Sequence, residues 1–294
     1  MNKLKSIAFA VLYLFITVAA QFLLAIVLGV QMLLFGFLNG TLDGDLSIQI
    51  QEQFESNQYN LILVALVNLI LIAGFGTWYV LIRKERDVSP VPYRKILSAK
   101  SLVFTALLAV CSQFACNIIM VVFQMAFPAV FANYTELMEG LDIHVLPAWA
   151  MLFIVAVWSP LAEELVFRAM VFRTLRKGFS FVPAAIISGV AFGAYHMNWV
   201  QGVYAAALGI LLAYTYEKTN SLLGCYLFHL AFNLSSYAIE ALQSAGSALP
   251  DLVIGLLMLV IHGVSIVGGG LLIWRYSKLY AKKEIVEHDE IREI

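Results

Sequence analysis

The stretch AEELVFR, residues 162–168, sets two adjacent carboxylates and a guanidinium directly behind the apolar run AWAMLFIVAVWSPL. An ionisable group inside a membrane span costs a few kcal/mol or more, so such groups are rare there and mark function. On a helix Arg168 follows Glu164 by four residues, about 40° around the axis, and the two can form an ion pair; Glu163 points about 100° aside. Glu164 and Arg168 are therefore expected to be supporting residues, and Glu163 the free, reactive carboxylate. Glu163 lies 16 residues before Phe179, and His196, in FGAYH, lies 17 after it. If a turn near Phe179 joins two antiparallel helical arms, both groups reach nearly the same depth, roughly 25 Å away. Gly189 and Gly193 offer the small-residue face that lets such arms approach closely. HLAFN puts His229 and Asn233 on one face of a later span, about 15 and 21 Å from the turn at Thr219, within a turn or two of the same level.

A carboxylate beside an imidazole in a dry cavity can take a proton from water. A second imidazole and a side-chain amide can donate hydrogen bonds to a developing oxyanion. Glu163, His196, His229 and Asn233 together thus suit peptide hydrolysis. Glu163, His196 and His229 could instead bind zinc or another divalent metal that activates water, although the HExxH signature of soluble zinc proteases is absent. His262 reads as a packed or hydrogen-bonded histidine. Asn68 and Gln113 read first as interhelical hydrogen-bonding residues and second as candidates for the cavity wall.

The elements that must position these groups are membrane spans. Of the 294 residues, 62% are hydrophobic and 13% charged, with mean hydropathy +0.86; a soluble domain is nearer half apolar and a quarter charged. About 20 apolar residues cross a hydrocarbon core of roughly 30 Å. On that basis eight spans are expected, at about 7–37, 60–82, 101–128, 147–170, 181–197, 202–216, 221–243 and 251–275. The expected fold is an all-α integral membrane protein of about eight transmembrane helices around an intramembrane polar cavity. The first run continues well past a cleavage-like TVAAQ and is read as a retained span, long enough to tilt or project. The sixth is short, which suggests that the connection MNWVQG is sunk below the outer surface.

With the N-terminus inside, all 18 Lys and Arg fall in or lead into inner segments, and the outer segments carry acids only. Positive charge stays on the cytoplasmic side, so a multi-pass protein of the cell (plasma) membrane with both termini cytoplasmic is expected. The net charge of -1 gives no reason to expect nucleic acid as a partner. Trp149 and Trp199 near the outer boundary, and Trp78, Tyr79, Trp274 and Tyr276 near the inner one, suit aromatic belts. Cys111, Cys116 and Cys225 sit within spans and read as small apolar residues. The acidic tail EIVEHDEIREI is given no function.

In sequence order, EELVFR, FGAYH and HLAFN resemble the EExxxR, FxxxH and HxxxN motifs of the CPBP intramembrane proteases. These comprise the CAAX prenyl endopeptidases, also called the Abi family, and bacteriocin-processing or bacteriocin-immunity proteins. Each pattern is common by chance, but all three in order within about 70 residues of an eight-span protein are specific. The resemblance covers roughly 150–240. It implies N-terminal transmembrane helices at 1–145, a catalytic core at 146–244, and a last helix with cytoplasmic tail at 245–294. By the same resemblance Glu163 and His196 activate water, His229 and Asn233 form the oxyanion site, and Glu164 and Arg168 support them. The family's chemistry is read either as metalloprotease or as metal-free glutamate protease. An amide at 233 suits an oxyanion donor better than a zinc ligand and favours the metal-free form. The implied substrate is a peptide or protein at or in the bilayer: a CAAX-type protein, a pheromone or a bacteriocin leader. Two other readings compete: a non-enzymatic immunity or partner-binding protein that keeps the polar site as a structural network, and a transporter with a proton-coupling carboxylate. The latter lacks the paired broken helices of transporters.

Overall fold

The computed structural model describes residues 1–39, 57–83, 91–140, 148–244 and 251–280. The acidic tail and most of the long polar segment expected outside lie beyond them. Helices are the regular elements here, as apolar chain in lipid requires, because a helix satisfies every backbone polar group within the segment. They are α1 (Lys3–Leu38), α2 (Asn57–Arg83), α3 (Ala99–Ala126), α4 (Pro128–Gly140), a composite α5 from Ala148 to Leu175, α6 (Phe181–Tyr195), α7 (Trp199–Thr219), α8 (Leu222–Ser244) and α9 (Asp251–Leu279), with a one-turn helix at Tyr93–Ile96. All but α4 and α6 are long and apolar enough to cross a membrane. With α6 they account for the eight expected spans, in a multi-pass, all-α membrane protein. Large apolar side chains such as Phe15, Phe22, Leu259 and Val264 stand exposed on α1 and α9, the surface lipid would cover.

Side-chain caps set several boundaries. Asn2 accepts from Lys5 N at the start of α1, and Ser98 from Ser101 N at the start of α3. Asn198 accepts from the backbone N–H groups of Val200 and Gln201, satisfying donors that the first turn of α7 would otherwise leave bare. This cap starts α7 at Trp199 and gives it 21 residues, so the expectation of a short sixth span is corrected. The short helix is α6, with 15 residues. At the other end Asn220, with φ 45°, turns the chain from α7 into α8; asparagine tolerates that left-handed conformation better than most residues. Two further differences are the helix α4, which occupies part of an expected outer segment, and Tyr276. Rather than an interfacial anchor, Tyr276 is buried against Tyr280 and Tyr214, with ring centroids at 4.6 and 6.4 Å.

The helix that carries AEELVFR is not a regular α-helix. It opens as α-helix at Ala148–Leu152, widens to π-helix at Phe153–Trp158, returns to α-helix at Ser159–Glu164, widens again at Leu165–Phe172 and closes as α-helix at Arg173–Leu175. Pro160 has no N–H to donate and its ring crowds the preceding turn, which gives a physical reason for the first widening. A proline at 160 also leaves the carbonyl of Val155, five residues back, without its π-helical donor. Asn233 Nδ2 on α8 donates to that oxygen at 3.2 Å, and Tyr226, two turns earlier on the same face of α8, donates to Val157 O at 3.3 Å. From the other side, α2 ties the same stretch down: Trp158 Nε1 donates to Ala65 O at 3.2 Å and Asn68 Nδ2 to Ser159 Oγ at 2.8 Å. Irregular winding of this kind recurs at functional sites.

Helices α6 and α7 make the closest pair. A Cβ on Gly189 would lie 2.7 Å from Ile210 Cγ1, and one on Gly209 would lie 2.8 Å from the Gly189 Cα. Backbone therefore meets backbone at these positions, and the small-residue face of Gly189 and Gly193, expected to meet the helix of Glu163, is turned to α7 instead.

Candidate active site

Glu164 and Arg168 lie at the centre of the bundle with their side chains fully buried. Arg168 Nη1 stands 3.2 Å from Glu164 Oε1 as an ion pair, in an orientation that does not make a hydrogen bond. Nη2 donates to the carbonyl of Gly209 at 3.3 Å, and the guanidinium carbon sits 4.7 Å above the Phe192 ring. Three helices thus share one buried cation through a carboxylate, a backbone oxygen and an aromatic face.

Phe192, the first residue of FGAYH, is more than a spacer. Its ring also meets His196 at 5.0 Å and His229 at 5.8 Å, edge to face in both cases, so one aromatic plate locates the guanidinium and both imidazoles. His196 caps the end of α6 rather than lying within it. The following residue, Met197, has φ 54° and is exposed. A non-glycine residue in that region costs of order 1–3 kcal/mol and tends to accompany function.

Glu163 points where its neighbour does not. It lines a cavity of about 1050 Å³ together with His196, His229 and Asn233. All four expected reactive residues therefore meet at one space, while Glu164 and Arg168 stand behind it. Asn68 and Gln113 also reach its wall, and Gln113 Oε1 is buried there without a hydrogen-bonding partner. His262 stays apart, with Nδ1 2.6 Å from Met258 O and its ring against Phe114.

His229 faces both carboxylates of the first motif. Its Nδ1 is 2.9 Å from Glu164 Oε1 and its Nε2 is 3.7 Å from Glu163 Oε2, so it stands between the two carboxylates. Asn233 commits one N–H to Val155 O and keeps the second free for the cavity. Sequence reasoning also missed the opposite wall: Leu14, Val18 and Phe22 of α1, with Leu63, Val64 and Val67 of α2, give it an apolar side. The spacing of 14, 18 and 22 marks one helix face, but an apolar face in a membrane helix does not declare whether it meets lipid, protein or a cavity.

Glu163, His196 and His229, the alternative ligand set for a metal, all line this cavity, although among the described residues no group of three His, Cys, Asp or Glu side chains is placed to hold a metal ion. His229 Nδ1 faces Glu164, as the second nitrogen of a ligating histidine also faces a carboxylate.

Comparison with known proteins gives a consistent result. Residues 144–235 match the family described as type II CAAX prenyl endopeptidase Rce1-like. A protein of Bacillus subtilis (strain 168) named "Putative membrane peptidase YdiL" is 29% identical over 83 residues, which are 28% of this chain and 34% of that relative. The chain thus matches about a third of the length of that curated relative. No solved structure matches. The matched segment holds EELVFR, FGAYH and HLAFN, and the structure brings all three to one cavity; over residues 144–235 the chain is similar to that family of prenyl endopeptidases.

Proposed function

We propose that the protein is an integral membrane endopeptidase that hydrolyses a peptide bond of a peptide or protein held at or in the bilayer. The observation that carries this reading is the convergence of Glu163, His196, His229 and Asn233 on one large, partly apolar cavity. In the reaction Glu163 takes a proton from water as the water oxygen bonds to the scissile carbonyl carbon, and His196 orients that water. The free N–H of Asn233 and the ring of His229 face the oxyanion that develops. The proton then passes to the amide nitrogen as the C–N bond breaks. The apolar wall from α1 and α2 suits an apolar side chain or lipid-facing segment of the substrate, so the helices before 146 shape selection while 146–244 supplies the chemistry. Both termini are placed in the cytoplasm of a cell (plasma) membrane protein, on the distribution of Lys and Arg. The metal-free form is favoured by the amide at 233, which suits an oxyanion donor better than a metal ligand.

The test compares peptides released from membranes carrying the wild-type chain with those from Glu163→Gln, at equal amounts of protein eluting as one folded species in detergent. Peptides present with the wild type and missing with the variant are expected. Identical peptide profiles would overturn the peptidase reading.

A further inference from the structure

The family pattern and the helix spacing give Glu164 one partner, Arg168. The structure gives it a second: Glu164 Oε1 also lies 2.9 Å from Nδ1 of His229, which arrives from α8, 65 residues along the chain. With the guanidinium beside it, Glu164 Oε1 acts as the acceptor. A ring nitrogen facing a carboxylate carries its hydrogen, and the hydrogen bond at one nitrogen decides the state of the other. Nδ1–H therefore leaves Nε2 with a lone pair, and Nε2 is the nitrogen 3.7 Å from Glu163 Oε2. The edge contact with Phe192 holds the ring in that plane.

We propose that Glu164 is a positioning residue of the hydrolytic site: it locks His229 in the Nδ1–H tautomer, so that Nε2 serves as a proton acceptor beside Glu163. The proposal rests on the peptidase reading above. Glu163 takes the proton from water as the carbon–oxygen bond forms, then hands it to Nε2. The resulting imidazolium is balanced by Glu164 and donates from Nε2 to the oxyanion. It then returns the proton to the amide nitrogen as the C–N bond breaks, restoring Glu163 and neutral His229. His229 is thus an oxyanion donor only after it has accepted a proton, and Glu164 is what permits both states.

The test is a nitrogen NMR spectrum of the full chain labelled with 15N-histidine and reconstituted in lipid, with the His229 signals assigned by their loss in His229→Gln. The expected pattern is a pyrrole-type Nδ1 and a pyridine-type Nε2; the reverse pattern overturns the proposal. This reading needs no variant of Glu164 and survives any folding defect. A second arm replaces the buried pair together, Glu164→Leu with Arg168→Met, since exchanging a whole buried pair for apolar residues is often tolerated. His229 should then move toward Nε2–H, and cleavage per folded protein should fall about 10²–10⁴-fold, the scale of a lost tautomer-setting carboxylate. A purely structural Glu164 would leave the tautomer and the rate per folded molecule unchanged, and that result also overturns the proposal. If the Nδ1–H pattern is found but Glu163→Gln alters no peptide, the peptidase reading fails and takes the hydrolytic role of the lock with it.

Discussion

Gly193 offers the sharpest test of how the α6–α7 contact controls the site. A Cβ added there would lie 2.9 Å from Ala206 Cβ and closer still to the carbonyl oxygen of Gly202. Carbon pairs rest at about 3.5–4.0 Å, so the helices must part by at least ~0.6 Å at Ala206, and by more where the chain faces Gly202. The blocking atoms are backbone and a Cβ, which cannot swing away as the end of a long side chain would. Overpacking of this kind costs about 1–3 kcal/mol. The displacement also falls three residues before His196, and a misplacement near 1 Å at a reacting group costs about 10²-fold in rate. Gly193→Ala should therefore unfold at a lower temperature in detergent and lose about a hundredfold in peptide release per folded molecule. Gly263→Ala is the control: a Cβ there meets nothing within 4 Å, and in a helix interior alanine is worth about 1 kcal/mol over glycine. That variant should be unchanged or slightly more stable, with normal activity. If Gly193→Ala matched the wild type in both measurements, the claim that backbone contact sets the position of His196 would be wrong.

Two further outcomes follow from polar contacts elsewhere. Asn68→Ala removes the 2.8 Å bond to Ser159 that ties α2 to the turn before Glu163; by the usual worth of an interhelical bond in a membrane it should cost about 0.6 kcal/mol, up to ~1.7, and no loss of thermal stability would show the bond to be incidental. Arg176 and Glu217 pair bidentately at 2.9 and 2.7 Å, yet both side chains are about a third exposed, 31% and 30%, so Arg176→Ala should cost no more than about 1 kcal/mol and less at high salt. The hydrogen bond to Glu217 raises the Arg176 guanidinium above its ordinary value. On the guanidinium side its contribution is therefore complete at neutral pH and lost in strong alkali; a stability change on titration near neutrality that Arg176→Ala abolishes would contradict this.

Much of the site is legible in the chain because membrane helices make spacing informative. A charge in an apolar run stands out, four residues place Arg168 under Glu164, and equal distances from a turn bring Glu163 and His196 to one cavity. What stays hidden depends on departures from regular winding and on partners distant in sequence. The π-helical stretches around Glu163 leave no periodic trace, and only Pro160 hints at them. The bond between Glu164 and His229 joins residues on different helices whose rotation no spacing rule fixes. The apolar wall of the cavity is illegible for the opposite reason, since leucine and valine at a helical repeat look alike whether they face lipid, protein or an enclosed space.

The widened winding before Glu163 also sets that residue's compass bearing. A helix carries its phase forward, and each residue of ordinary α-helix turns it by about 100°. Wound as ordinary α-helix at the same length, Phe153–Trp158 would keep every motif intact and send Glu163 about 100° round to a different neighbour. The stitches at Val155, Val157, Trp158 and Ser159 pin that phase just ahead of the carboxylate. In this protein the wide winding is a setting of the instrument, and a chain of equal length that kept EELVFR but wound this stretch tightly would keep the letters of the motif and lose its aim.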